Sequence, residues 1–200
     1  KEKFSESYPF QPKSPYSASK ASADHLVDAW QNTYGIPILR SNCSNNYGPY
    51  QYPEKLIPLA ITNIIKGKAI PIYGDGLNIR DWLHVEDHCA AIDKILLKAE
   101  IGENFCIGGD NQITNIDLIK YICRLTDKIC FQKEIVKPIQ NSENLIEFVT
   151  DRKGHDFRYS ISNKKIMDKL NWQPKISIEE GIKSTIKWFL DNRKWWDNKI

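Results

Sequence analysis

Tyr16 and Lys20 are the residues whose type and spacing point most directly to chemistry. They lie four positions apart in the string Tyr16-Ser-Ala-Ser-Lys20, so a helix would place both side chains on one face. A tyrosine phenol is a poor base at neutral pH, but a nearby ammonium favours the phenolate, which can exchange a proton with a sugar hydroxyl. The exchange is productive only if an acceptor takes the accompanying hydride. Proteins that use such a pair employ a nicotinamide cofactor, yet no nicotinamide-binding fingerprint occurs in these 200 residues.

The elements that must position this pair indicate an α/β protein. Ser14 and Pro15 are typical of a helix start, and Gly35 with Pro37 ends that helix near Thr33. Further helices are predicted at 56–66, 86–98, 115–125, 162–170 and from 177 onward, strands at 36–39, 69–73, 81–85, 104–107 and 146–149, and a polar loop at 41–49. Because strands alternate with helices, we expect a mostly parallel sheet.

Composition and charge exclude several classes of protein. The net charge is +3 with acids and bases interspersed, which is no nucleic-acid signature, although local basic sites could hold a phosphorylated ligand. The five cysteines are odd in number and show no metal-ligand spacing, so we expect no metal site and a reducing, cytoplasmic compartment. No apolar run approaches the roughly 18 residues that span a bilayer.

The first residues, Lys-Glu-Lys-Phe, include no initiator methionine. A chain of 200 residues allows one domain, or one domain and part of another. We therefore expect the sequence to be a piece of a longer gene product.

Six ordered blocks resemble a known enzyme family. They are SPYSASKASADH at 14–25, NCSNNYGP at 42–49, PEKLIP at 53–58, PIYGDG at 71–76, RDWLHVEDH at 80–88 and DRKGHD at 151–156. The first is similar to the active-site helix of the extended short-chain dehydrogenases/reductases. Their combination and order resemble the dTDP-glucose 4,6-dehydratases within that family, and the resemblance covers essentially the whole chain.

This resemblance implies catalytic and cofactor roles for four residues. Tyr16 would take the proton from the sugar 4-hydroxyl while hydride passes to NAD. Lys20 would favour the phenolate and hold the nicotinamide ribose. Asn45 would contact the substrate and Asn46 would lie by the cofactor, although asparagines also serve turn geometry. Without the other blocks, Tyr16 and Lys20 would more readily be an ordinary surface pair on an amphipathic helix.

The resemblance also implies a binding site for the sugar nucleotide. The candidates for reading its diphosphate are Lys55, Arg80, Arg152 and His155, of which an arginine offers a planar fork of donors suited to phosphate. Leu56, Pro71 and Tyr73 would form walls around the base and the sugar. Asn115 would bond a nucleotide oxygen, although a plain helix cap would also explain an asparagine there. Each of the four charged side chains alone would more readily be a solvated surface group.

Two departures from the family pattern are small and one is large. Lys153 stands where the family usually has proline, and His84 where tyrosine is common. The large departure is that the Gly-rich cofactor loop and the Thr-Asp-Glu segment, which supplies the family's acid and base for dehydration, do not occur in the chain. We expect both to lie upstream, and we expect the isolated 200 residues not to turn over dTDP-glucose.

The resemblance further implies an architecture and an assembly. We expect the C-terminal part of a Rossmann-like, doubly wound parallel sheet (residues 1–49 and about 84–108) and a smaller α/β sugar-nucleotide domain (about 50–83 and 109–200). The helix at 16–33 would pack against its copy in a homodimer. The product would feed dTDP-rhamnose and other deoxysugars. The alternatives are another NAD-dependent nucleotide-sugar epimerase or decarboxylase, or an inactive, truncated sugar-nucleotide-binding piece.

Overall fold

The computed structural model describes residues 3–199 as eight strands and seven α-helices in mixed order. The helices are α1 Pro15–Tyr34, α2 Leu56–Lys66, α3 Val85–Lys98, α4 Asn115–Gln132, α5 Lys164–Leu170, α6 Ile178–Asp191 and α7 Arg193–Trp196. The strands are β1 Arg40–Cys43, β2 Asn45–Tyr47, β3 Ile70–Tyr73, β4 Ile79–His84, β5 Asn104–Ile107, β6 Gln112–Thr114, β7 Ile146–Val149 and β8 Arg158–Tyr159.

Most of the strand pairs are parallel. Strand β1 pairs with β5, β2 with β4, β3 with β7, and β8 with β4, all in parallel. The antiparallel pair joins β4 to β6. Since helices connect the parallel strands, the predicted α/β class is confirmed. Strand β4 has three partners, β2, β6 and β8, and so connects more strands than any other in the described part of the chain.

Two hydrophobic clusters hold these elements together. The larger one joins α2, α4 and α6, with Ile61, Ile119 and Phe189 fully buried; burying each such side chain contributes about 1.5–3 kcal/mol. The smaller one joins β4, β5, α3 and α5 and ends on Trp172. It therefore combines residues from both of the predicted domains, and the division into domains stays a prediction.

The C-terminal aromatic residues pack onto the larger cluster, as the sequence suggests. Trp196 is fully buried and donates its indole N–H to the carbonyl of Phe189 at 2.8 Å. Trp188 and Trp195 contact each other and the ring of Tyr50. The last helices are thereby fixed to the loop that comes after β2.

Several element boundaries predicted from sequence are wrong. The strand expected at 36–39 lies at Arg40–Cys43, and the loop expected at 41–49 contains β1 and β2. Both strands are mostly polar and, apart from the buried Tyr47, are half-buried or exposed, so apolar patterning does not reveal them. Their pairing with β5 and β4 does. The short strands β6 and β8 were not predicted, and α4 continues to Gln132 rather than ending near Leu125.

Helix α1 differs from the other long helices in having no buried residue. Leu26, Trp30 and Tyr34 are 52–66% exposed and succeed one another at four-residue spacing, so they form one stripe. A role for Leu26 and Trp30 in the core of this chain is thereby excluded. Among residues 3–199, no helix is both long and apolar enough to cross a membrane.

Candidate active site and nucleotide-binding cluster

The start of α1 presents Tyr16 and Lys20 to solvent. The Ser14 hydroxyl accepts the backbone N–H of Ser17 at 3.1 Å, and Pro15 occupies the first helical position, which fixes where the helix begins. Tyr16 is 74% exposed. No described residue hydrogen-bonds its hydroxyl or forms an ion pair with Lys20. Both polar groups are therefore available to a ligand.

Helix α1 is tied along strand β1. The amide nitrogen of Asn42 donates to the Asp24 carboxylate at 2.8 Å, and Arg40 donates to Asp28 at 2.5 Å. The strand ends at Cys43, and burial raises the pKa of its thiol, while the charge of Lys20 acts in the opposite direction. The charge of Lys20 therefore acts at the end of β1.

Strand β2 begins directly after Ser44, so both predicted asparagines, Asn45 and Asn46, lie close to the end of β1. Asn46 donates its amide nitrogen to the Ser44 carbonyl at 3.0 Å and to the Cys43 sulfur at 3.4 Å. Its amide oxygen lies 2.8 Å from Nδ1 of His88 on α3. Asn45 is half-buried and lies opposite Trp82 in the β2–β4 register. Lys20, Asn45 and Asn46 are thus positioned by the end of β1 and by β2.

A second group of predicted site residues is brought together by the pairing of β3 with β7 and of β4 with β8. Strand β7 ends at Val149 beside Tyr73, and β8 begins at Arg158 beside Ile79. The segment 150–157 must therefore bridge the ends of β3 and β4. The Arg152 guanidinium lies over the Tyr73 ring, 4.8 Å from its centroid, in the geometry of a cation–π contact.

Hydrogen bonds join Arg152, His155 and Asp151 in this segment, and their donors and acceptors can be assigned. Arg152 Nη2 lies 3.3 Å from His155 Nε2, and His155 Nδ1 lies 2.7 Å from the Asp151 carboxylate. Because a guanidinium only donates, Nε2 accepts and Nδ1 carries the proton given to Asp151. This hydrogen bond lowers the pKa of Asp151.

Arg80 completes the cluster from strand β4. It donates to the Asp156 carbonyl at 2.6 Å and to the Ile79 carbonyl at 2.8 Å. Burial lowers the pKa of Arg80; the charge of Asp156 raises it and that of Arg152 lowers it. Two positive charges that repel each other in this way favour a bound anion nearby. We refer to Tyr73, Arg80, Arg152 and His155 as the nucleotide cluster.

Gly154 connects the nucleotide cluster to the start of α1. Its φ is +72°, and a Cβ there would lie 3.1 Å from the Lys13 carbonyl oxygen. The segment 150–157 therefore packs against the residues just before Tyr16. The two predicted groups of site residues belong to one region of the molecule.

The remaining predicted site residues are Lys55, Leu56, Pro71 and Asn115. Lys55 pairs with Glu54 at 2.7 Å and its side chain is 59% exposed. Leu56 and Pro71 are half-buried, at the first turn of α2 and in β3. Asn115 is not a helix cap, because Thr114 accepts the Asp117 N–H at 3.1 Å. The amide oxygen of Asn115 is buried and has no partner among the described residues.

Sequence reasoning did not assign roles to His88, Asp81 or Asp151. Asp81 is fully buried, and its carboxylate accepts the N–H groups of Gly109 and Asn111 at 3.1 and 2.9 Å. Burial raises its pKa. His88 and Asp81 lie inside the block at 80–88, but their partners are brought to them by strand pairing and by a loop, which no local pattern shows.

Comparison with known proteins identifies the family. The family model described as GDP-mannose 4,6 dehydratase matches residues 1–185, and the chain belongs to this family. Within it the chain is 53% identical, over 193 residues, to the dTDP-glucose 4,6-dehydratase of Escherichia coli, which covers 96% of this chain and 53% of that protein. The chain thus spans about half the length of the curated relatives it matches. The resemblance to dTDP-glucose 4,6-dehydratases is confirmed.

Solved structures agree with this assignment. The dTDP-glucose 4,6-dehydratase of Bacillus anthracis in complex with NAD superposes with a TM-score of 0.85 at 46% identity, covering 100% of this chain and 60% of that one. The Streptomyces venezuelae enzyme of the same name, with NAD and TYD bound, gives a TM-score of 0.87 at 39% identity, covering 100% and 58%.

We expect the buried histidines to make stability depend on pH. Burial lowers the pKa of His84 and of His88; for His84 the charges of Glu86 and Asp87 act against burial. Because the folded state favours the neutral rings, the free energy of unfolding should fall as the pH drops below about 6.5, by at most about 1.4 kcal/mol per pH unit per histidine.

Urea denaturation between pH 8 and pH 5 measures this dependence. The paired substitution His84→Asn and His88→Asn should flatten the slope, whereas His25→Gln, which changes an exposed histidine, should leave it intact. A slope that survives the paired substitution would assign the effect to other groups.

Proposed function

We propose that this chain supplies the redox pair and the sugar-nucleotide site of a dTDP-glucose 4,6-dehydratase. The reaction converts dTDP-glucose into dTDP-4-dehydro-6-deoxyglucose and water, and its product serves dTDP-rhamnose and other deoxysugar synthesis. One observation carries the proposal: the nucleotide cluster, which joins two arginines, a histidine and a tyrosine, abuts the start of the helix that bears Tyr16. The names of the similar proteins support the choice of substrate.

Tyr16 would act as the base of the oxidation step. Its hydroxyl is exposed at the first turn of α1, where it can reach the 4-hydroxyl of a bound hexose. Lys20, one turn later on the same face, would favour the phenolate, so that the sugar proton passes to Tyr16 Oη.

The residues present fit the nicotinamide end of NAD. Lys20 has no ion-pair partner among the described residues, and Asn46 contacts Cys43 at the end of β1, where the charge of Lys20 also acts, so both could hold the ribose and ring. NAD, when bound, accepts the hydride from C4 and later returns it to C6 of the sugar. The chain's own contribution is to position that end and to move the proton at Tyr16 Oη.

Recognition of dTDP would fall to the nucleotide cluster and to residues around it. Arg80 and Arg152 would neutralise the diphosphate, with Lys55 and His155 as further donors. Tyr73, Leu56 and Pro71 would enclose the base and sugar, and Asn45 would contact the hexose. Asn115 would bond a nucleotide oxygen through its side-chain amide, and its buried amide oxygen, which has no partner among the described residues, supports a role in binding.

Assembly and compartment complete the proposal. The exposed stripe of Leu26, Trp30 and Tyr34 supports a homodimer formed through α1. All five cysteines are free, which supports a reducing compartment such as the cytoplasm. We also propose the two domains predicted from sequence, residues 1–49 with 84–108 and residues 50–83 with 109–200.

Binding of dTDP to the 200-residue chain tests the nucleotide site. Arg152→Ala should weaken dTDP binding about 10- to 100-fold, the loss expected for hydrogen bonds to a charged group. Isothermal titration calorimetry at fixed salt measures the change. Arg152 suits the test better than Arg80, because Arg80 also holds the backbone of Asp156.

Arg124→Ala is the matched control, since this exposed arginine on α4 pairs only with Glu143 among the described acids. It should leave dTDP affinity within about twofold, because exposed ion pairs contribute little. Equal effects of the two substitutions, or no dTDP binding by the unaltered chain, would contradict the proposed site.

A further inference from the structure

His88 makes a contact that neither the catalytic pair nor the nucleotide cluster uses. It lies in the first turns of α3, with Nδ1 2.8 Å from the amide oxygen of Asn46. The other ring nitrogen, Nε2, is buried and has no partner among the described residues. The polar contact of this ring is thus directed at strand β2, just after the end of β1.

Hydrogen-bond complementarity fixes the direction of that contact. The Ser44 carbonyl can only accept, so the group 3.0 Å from it must be the amide nitrogen of Asn46. The amide oxygen of Asn46 consequently faces His88 and can only accept. Nδ1 of His88 must carry the hydrogen, and the neutral ring is in its Nδ1–H form.

Three contacts leave Asn46 with a single orientation. Its nitrogen meets the Ser44 carbonyl and the Cys43 sulfur, and its oxygen meets His88. Lys20 is close enough to Cys43 for its charge to act on the thiol. A row of contacts therefore runs from α3 through Asn46 to Cys43 at the end of β1.

We propose that His88 is a positioning residue, whose Nδ1–H holds the Asn46 amide with its nitrogen toward Ser44 and Cys43. The orientation is set by the chain's own contacts. The role of the oriented Asn46 amide toward the cofactor rests on the proposed function, in which Asn46 lies by the nicotinamide.

His84, one turn earlier, provides an internal comparison. Its Nδ1 accepts the backbone N–H of Glu86 at 3.4 Å, so it caps α3 and its proton is on Nε2. The two histidines should therefore hold opposite tautomers, although they share a block of sequence and are both shielded from water. Burial alone would not impose that difference.

Nuclear magnetic resonance of the full 200-residue chain tests the proposal without any need for activity. At pH 8, long-range proton–nitrogen correlations should show the Nδ1–H tautomer for His88 and the Nε2–H tautomer for His84. The side-chain amide of Asn46, assigned by its loss in Asn46→Asp, should give two well-separated proton signals. An Nε2–H tautomer at His88 would overturn the proposal.

Two substitutions separate positioning from packing. His88→Leu fills similar space without a donor, and should shift the Asn46 amide signals and speed their hydrogen exchange at least 10-fold. His88→Asn keeps a donor near the Nδ1 position and should restore both. Unchanged Asn46 signals in His88→Leu would overturn the proposal. So would equal changes of the Asn46 signals in His88→Leu and His88→Asn, if the two variants have equal free energies of unfolding.

Kinetics supply the functional readout. In a chimera in which this chain replaces the matching segment of the Escherichia coli relative, His88→Leu should lower kcat roughly 3- to 10-fold, about one neutral hydrogen bond, with KM for dTDP-glucose unchanged. His88→Asn should recover the rate. A chimera that is inactive with the unaltered sequence would count against the proposed function, while the tautomers and the Asn46 signals still decide the role of His88.

Discussion

Replacing Tyr16 with Phe is expected to lower turnover of dTDP-glucose about 10²- to 10⁴-fold, the usual contribution of a positioned general base. Affinity for dTDP should stay within about twofold. The change removes one hydroxyl from a side chain that is 74% exposed. Because no described residue hydrogen-bonds that hydroxyl, its loss breaks no contact within the chain. The free energy of unfolding should therefore not change.

The measurement again uses the chimera with the Escherichia coli relative, because the 200 residues contain no Gly-rich cofactor loop. Product formation gives kcat, and calorimetry gives the affinity for dTDP. Tyr34→Phe is the control: Tyr34 lies at the other end of α1 and is 66% exposed. It should leave kcat within about twofold.

Two outcomes would contradict the catalytic role of Tyr16. One is equal loss of kcat and of dTDP affinity, which would make Tyr16 a binding or structural residue. The other is equal loss in Tyr16→Phe and Tyr34→Phe, which would point to a general effect on α1.

The helices could be predicted from sequence because their signals are local. Ser14 with Pro15 starts α1, and Ser177 accepts the Glu180 N–H at the start of α6, as the capping pattern indicates. Gly67 ends α2 in the left-handed conformation. Each of these signals lies within four residues of the feature it determines.

The polar strands could not be predicted, because they depend on distant partners. The triplet at 45–47, Asn-Asn-Tyr, has no apolar alternation, and it becomes β2 only by pairing with residues 82–84. The same pairing brings Asn46 to His88, so a contact between them was not foreseeable either. Neither β2 nor this contact could be predicted, because both depend on the pairing of β2 with β4.

The nucleotide cluster could be predicted in part from the sequence. The family blocks pointed to Tyr73, Arg80, Arg152 and His155 individually, but not to their mutual geometry. That geometry results from β3 pairing with β7 and β4 with β8. Lys55, chosen by the same reasoning, pairs with its neighbour Glu54 on the surface, and its role stays a prediction.

Strand β4 carries or adjoins all of these features. We therefore expect stability and ligand binding to be sensitive to the contacts that hold this strand in place. Its residue Arg80 belongs to the nucleotide cluster, and its end at His84 leads directly into α3 and His88. The turn at Gly108–Asn111 packs against the middle of the strand. There, the Asp81 carboxylate accepts the backbone N–H groups of Gly109 and Asn111. The backbone N–H of Trp82 donates to the Asn111 carbonyl at 3.2 Å.

Gly109→Ala is therefore expected to be strongly destabilising. A Cβ at Gly109 would lie 1.9 Å from the Trp82 carbonyl oxygen and 2.5 Å from its carbon. Backbone atoms cannot rotate away as a side chain does, so the turn or the strand must move and the buried bonds to Asp81 must stretch. Overpacking commonly costs about 1–3 kcal/mol and occasionally more; here we expect about 3 kcal/mol or more. Affinity for dTDP should fall as well, because a displaced β4 carries Arg80 with it.

Gly35→Ala separates this steric effect from backbone conformation. Gly35 ends α1 with a φ of +65° and has open space around its Cβ position, so alanine there costs only about 1–2 kcal/mol of left-handed strain. Urea denaturation of both variants gives the two losses, and calorimetry gives dTDP affinity, which Gly35→Ala should leave within about twofold. If Gly109→Ala cost no more than Gly35→Ala, the turn would be free to move. Strand β4 would then not depend on this turn, and Asp81 would need another explanation for its burial.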